Sequence, residues 1–180
     1  MPERALVVVD MLNAYEHPDA EPLAASAREA LPQMVELLRR ARADENTMTF
    51  YANDNYERWE QTRADLVKQA LDGAHPDLVE PIVPRDDEPF IMKGRHSIFY
   101  QSSVDHLIQV AGVKQLILCG QVTEQCIQYS ALDAYMRGFD VVVPRDAVAH
   151  IDAGWAEASL GMMEKNMHAD ISPVADGVLA

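Results

Sequence analysis

Little in this 180-residue chain can cross-link it: there are two cysteines, Cys119 and Cys126, seven positions apart. That spacing makes no disulfide framework, and a chain of this length buries a sizeable core without disulfides or a structural metal, so a reducing, cytoplasmic setting is expected. Basic residues are also few, 15 Lys and Arg against 29 Asp and Glu, for a net charge of −14. With no basic stripe, this excludes sequence-independent nucleic-acid binding, which needs clustered cations to displace counterions from phosphates. No apolar stretch approaches membrane-spanning length, and Met1-Pro2-Glu3-Arg4 opens onto a short strand with no signal-peptide core, so no membrane association is expected. Asp10-Met11-Leu12-Asn13 contains no glycine, which excludes a phosphate-cradling turn after the first strand. Six scattered histidines with no His-Glu-x-x-His pattern predict no catalytic metal. No repeat, low-complexity tract or linker interrupts the chain, and a single domain over residues 1–180 is expected.

What is present is alternation. Short apolar runs are predicted as strands at Ala5 to Val9, Thr47 to Tyr51, Phe90 to Met92, Gln115 to Cys119 and Phe139 to Val143, with a short sixth at Asp170 to Ser172. Helical patterns fall between them: Leu23 to Ala43 with Pro32 kinking it or starting its second half, Trp59 to Leu71, Val104 to Val110, Glu124 to Arg137 closed by Gly138, and Ala153 to Met167. The stretch bearing Pro76, Pro81, Pro84 and Pro89 reads as too broken for regular structure. Strands and helices in alternation predict an α/β fold, a three-layer α/β/α arrangement around a largely parallel six-stranded sheet.

On that plan Asp10, Lys93 and Cys126 each lie at or just beyond the C-terminal end of a different strand, where open parallel sheets bind ligands. Singly, each has a bland reading: a helix N-cap, a surface lysine with its stem on the sheet, a small buried hydrophobe. Together they supply a nucleophile, a cation to hold it as thiolate and a carboxylate to move protons, the set needed for covalent acyl transfer. Cys126 follows a strand and opens a helix, where unpaired N–H groups and the helix dipole bias a thiol toward thiolate and would hold an oxyanion.

Four segments, Val7-Val8-Val9-Asp10-Met11, Lys93-Gly94-Arg95-His96-Ser97-Ile98-Phe99, Gly120-Gln121-Val122-Thr123-Glu124-Gln125-Cys126 and Asp146-Ala147, resemble in order and spacing the isochorismatase-like cysteine hydrolases. That family includes nicotinamidases, N-carbamoylsarcosine amidohydrolase, ureidoacrylate hydrolases and streptothricin hydrolase. The resemblance implies a Rossmann-like fold of the kind just described and a Cys-Lys-Asp triad carried by Cys126, Lys93 and Asp10. It also implies a cis peptide at Val122-Thr123, and an oxyanion hole of the Thr123 and Cys126 backbone N–H groups.

Departures from the family pattern matter as much. Isochorismatases proper, which cleave a vinyl ether, lack the cysteine, so Cys126 favours hydrolysis of a C–N bond in an amide, carbamoyl, ureido or lactam compound. Nicotinamidases bind a metal through an Asp-x-His pair after the second strand, whereas here Tyr56 stands where that histidine would be. Leu12 and Ala14 replace residues that many relatives use near the first strand. Asp10 would accept the thiol proton, deliver it to the leaving nitrogen and then serve as base for the water that hydrolyses the thioester. Tyr15, Asn53, Tyr56, Trp59 and His96 are the candidate contacts for a small-molecule substrate; no cofactor is expected. The alternative is a non-catalytic or differently reacting binding protein on the same fold, including one acting on vinyl ethers. Apolar residues of the last helix, Trp155, Leu160, Met162, Met163 and Met167, predict a homodimer or homotetramer, with the segment Pro76 to Pro89 completing a neighbour's pocket.

Overall fold

A computed structural model describes residues 2–179. Strand β1 (Arg4–Val9) is buried on both faces, which is why it reads as an unbroken apolar run. It pairs in parallel with β2 (Thr47–Asp54) on one side and with β4 (Gln115–Gln121) on the other. Beyond β2 lies β3 (Phe90–Lys93), and beyond β4 lies β5 (Asp140–Val142), giving the order β3-β2-β1-β4-β5. The sixth strand, β6 (Val148–Ala149), pairs in parallel with the C-terminal end of β4. The expected sixth strand at Asp170 to Ser172 is not formed. Asp170 makes one isolated bridge to Val142, and its side chain caps the Ser172 N–H instead.

Alternation along each strand sorts side chains into two cores. Leu6, Val8, Tyr51, Ile117 and Cys119 face α1 (Ala20–Ala43). Ala5, Val7, Val9, Phe50, Leu116 and Leu118 face α3 (Val104–Ala111), α4 (Gln128–Met136) and α5 (Ala153–Met167). The arrangement is the predicted three-layer one. Helix α1 runs unbroken through Pro32, whose ring lies on the exposed side. Helix α2 (Arg63–Leu71) starts four residues later than the predicted Trp59, because the side chain of Thr62 and that of Asp65 form a reciprocal capping box there. The Pro-rich stretch holds two short 3₁₀ turns, Pro76–Leu78 and Glu80–Ile82, pinned by the buried Leu78, Val79 and Ile82.

At Gly120 the sheet approaches itself closely. A Cβ there would stand 2.2 Å from the Val9 carbonyl oxygen, and the residue has φ +115°, so only glycine fits. Here the two strands part toward the site, Val9 running into Asp10 and Gly120 through Gln121 into the Cys126 turn.

Candidate active site

The C-terminal ends of β1, β2, β3 and β4 converge on one point. Asp10 follows β1 in the left-handed region, φ 52°, a conformation aspartate tolerates better than most residues, and this aims its carboxylate across the strand ends. Lys93 is the last residue of β3 and is fully buried. Its Nζ lies 2.8 Å from Asp10 Oδ2, 3.5 Å from Asp54 Oδ2 and 3.6 Å from Cys126 Sγ. Asp10 Oδ1 accepts the Asp54 N–H at 2.6 Å. Oδ2 is buried and, apart from its ion pair with Lys93, has no aligned hydrogen-bond donor among the described residues.

Cys126 sits in a π-helical turn, Thr123–Ile127, ahead of α4, so the predicted helix from Glu124 is divided into two parts. The Val122 carbonyl accepts the N–H groups of both Gln125 and Ile127. The Thr123 hydroxyl donates to the Ala149 carbonyl on β6. The cis peptide lies at Gln121-Val122, one residue before the expected Val122-Thr123; the motif residues do not by themselves fix which bond of the strand-to-turn junction isomerises.

Charge within this group is set by burial. Burial raises the pKa of Asp10, with Lys93 opposing. For Lys93, desolvation is outweighed by the charges of Asp10 and Cys126, and the ammonium is held above its ordinary range. The thiol of Cys126 is pushed up by burial and by Asp10 against the pull of Lys93. The bias toward thiolate expected from the turn is therefore reversed in the resting site: burial of the sulfur, with the Asp10 carboxylate beside it, outweighs the turn's partial charges and Lys93. What results is a thiol next to a carboxylate that can take its proton, over a permanent cation.

The five expected substrate contacts divide. Asn53 is buried, and its amide is fully used: Oδ1 accepts the Leu12 N–H at 3.0 Å, while Nδ2 donates to the carbonyls of Leu12 and Asp54. It straps the loop after β1 and has no group left for a ligand. Tyr15 is likewise buried, its hydroxyl donating to Gln121 Oε1 at 3.1 Å. Tyr56 is half exposed, and desolvation together with the charges of Asp10, Asp54 and Cys126 raises its pKa. Trp59 is exposed and stands over Gly94, the residue after Lys93. His96 is exposed with Nδ1 3.9 Å from Cys126 Sγ. A cavity of about 210 Å³ opens beside Tyr56, with Leu12, Ala14, Arg58, Leu66 and Gln69 among its lining.

Two contributors escaped sequence reasoning. Gln121 is buried and donates from Nε2 to the Asp10 carbonyl at 2.8 Å, fixing the backbone of the carboxylate. Its signal was a polar residue ending an apolar strand. Glu124 is buried and accepts the N–H groups of Ile151 and Asp152, tying the cysteine turn to the start of α5. His150, with its Nδ1 against the Ser26 hydroxyl, Arg95 paired to Glu57 and Arg145 paired to Glu157 are structural.

The nicotinamidase metal site does not fit here. Asp54 spends Oδ1 on the Tyr56 N–H and Oδ2 on Lys93, Tyr56 replaces a histidine, and no group of three or more His, Cys, Asp or Glu among the described residues is placed to hold an ion.

Comparison with known proteins identifies the family and agrees with the fold. The Isochorismatase domain family matches residues 4–176. An uncharacterised isochorismatase family protein of Bacillus subtilis, YaaI, is 30% identical over 94% of this chain and 93% of its own. The maleamate amidohydrolase of Pseudomonas putida is 30% identical over 87% of this chain and 76% of its own. The crystal structure of an isochorismatase family protein from Desulfovibrio vulgaris superposes with a TM-score of 0.78 at 26% identity, over 99% of both chains. The chain belongs to the isochorismatase family.

Proposed function

We propose that this chain is a cysteine-dependent amidohydrolase that cleaves the C–N bond of a small amide, carbamoyl, ureido or lactam compound through a thioester on Cys126. The observation that carries the reading is a fully buried ammonium, Lys93, within 2.8 Å of a carboxylate oxygen and 3.6 Å of a thiol sulfur. A buried cation is costly unless paired, and here its partners are the two groups that would exchange a proton. Asp10 takes the thiol proton as Sγ attacks the carbonyl, and the thiolate that develops is held by Lys93. Negative charge then moves to the carbonyl oxygen, where the Thr123 and Cys126 N–H groups receive it. Such a donor is worth roughly a hundredfold or more in rate. Asp10 returns its proton to the departing nitrogen, and water hydrolyses the thioester.

Relatives support the reaction class, since one is a maleamate amidohydrolase. A panel of amide, carbamoyl, ureido and lactam compounds, assayed for ammonia release or ring opening with mass detection of an acyl adduct on Cys126, tests the reading. Turnover with no adduct, or none of either across the panel, returns the chain to the non-catalytic or differently reacting alternative.

No helix among the described residues is long and apolar enough to cross a membrane. A cytoplasmic setting is part of the proposal, supported by two cysteines that are both free. Self-association is also part of this proposal. Leu160, Met163 and Met167 of α5 are buried against the sheet, but Trp155 and Met162 stay exposed, as do Tyr129, Tyr135 and Met136 on α4. That apolar face fits a symmetric interface. Light scattering at micromolar concentration and physiological salt is expected to give a multiple of the chain mass; the mass of one chain refutes it.

A further inference from the structure

We propose that His96 is the general base of deacylation, so that the two halves of the reaction use different proton carriers. This rests on the thioester reading above. Asp10 and Lys93 approach Cys126 Sγ from the buried strand ends, with Lys93 fully buried and Asp10 nearly so. Water must arrive from the open side, where Cys126 keeps the little exposure it has. On that side stands His96, exposed, with Nδ1 3.9 Å from Sγ and its ring held edge-on against Tyr129 at a centroid separation of 5.4 Å.

The protons balance without Asp10. With its hydrogen on Nε2, His96 takes a proton from water on Nδ1 as the water oxygen bonds to the thioester carbon. The tetrahedral adduct then collapses, the C–S bond breaks, and the departing sulfur takes that proton from Nδ1 across the observed contact. The products are a carboxylic acid, or the carbamic acid where a carbamoyl group was transferred, and the resting thiol. Asp10, having given its proton to the leaving nitrogen, is already the carboxylate the next cycle needs.

The test uses p-nitrophenyl acetate, an activated ester that acylates a thiol nucleophile and separates the two steps. The intact protein is expected to release a burst of about one nitrophenolate per chain and then turn over steadily. H96Q is expected to keep the burst, slow the steady phase about a hundredfold, and accumulate acetylated Cys126 in intact mass spectra. In H96A, added imidazole is expected to restore the steady phase in proportion to its concentration. A steady phase unchanged in both variants overturns the assignment, as does loss of the burst in H96Q, which would move His96 into acylation. An equal burst in C126A would instead overturn the thioester reading itself, and this inference with it.

Discussion

Asp10→Asn is expected to make the thiol more reactive while abolishing hydrolysis. The substitution suits the backbone, since asparagine is at home at the left-handed φ of 52° found there, and its amide oxygen can still accept the Asp54 N–H. What disappears is the negative charge 2.8 Å from Lys93. In the intact protein that charge is one reason the Cys126 pKa is raised, and Lys93 is what opposes it. With Asp10 neutral, the buried ammonium turns to Asp54 and to the sulfur 3.6 Å away. A charge pair at about that separation is worth about 4 kcal/mol at an effective dielectric constant near 20, on the order of a thousandfold in thiol ionisation. Iodoacetamide labelling against pH, followed by intact mass, reads this directly. Cys119 serves as the internal control, fully buried and with its pKa pushed up to about 12. The intact protein should alkylate at Cys126 with a midpoint above the ordinary cysteine value of about 8.5, and the variant with a midpoint roughly three pH units below that of the intact protein. Hydrolysis fails nonetheless, because no carboxylate is left to accept the thiol proton and return it to nitrogen. A variant whose labelling midpoint stays or rises refutes the charge balance argued here.

Cys126→Ala and Cys126→Ser are expected to abolish hydrolysis with the circular dichroism spectrum and unfolding midpoint little changed, since the turn accepts a small residue; substantial turnover by the alanine variant removes covalent catalysis. Because Asp10 must be ionised to take the thiol proton and burial raises its pKa, activity should fall as pH drops through a midpoint above the ordinary aspartate value of about 3.9, and a limb below that value contradicts the proton's destination. Chelators are expected to leave the rate unchanged, because Asp54 and Tyr56 form no ligand set; loss on EDTA treatment with recovery on adding zinc would show otherwise.

Local pattern made most of the fold legible. Apolar runs bounded by polar residues located the first five strands to within a few residues, because a strand buried on both faces admits almost nothing else. The helix from Ala153 to Met167 was readable end to end, its start marked by Asp152 capping the Trp155 N–H. Failures fell where a contact distant in sequence decides. Val148–Ala149 became the sixth strand because Gly120 and Gln121 offer it a ladder, and Asp170 to Ser172 did not because Val142 offers a single bridge. Two residues carry too little pattern to announce themselves.

The site divides the same way. Residue types at strand ends were enough to nominate Asp10, Lys93 and Cys126, since a parallel sheet brings those ends together whatever the loops do. Their ionisation was not readable: the turn argued for a thiolate, and only the packing that buries Sγ, with Asp10 beside it, raises the thiol instead. Nor could the sequence say that Asn53 and Tyr15 spend their polar groups inside the protein while Tyr56, Trp59 and His96 stay exposed, since all five follow strand ends in the same manner. Spacing along the chain fixes which strand end a residue occupies. Which way its side chain turns, and what is left there to hydrogen-bond it, is set by neighbours 41 to 111 positions away, as with Asn53 on Leu12 and Gln121 on Asp10.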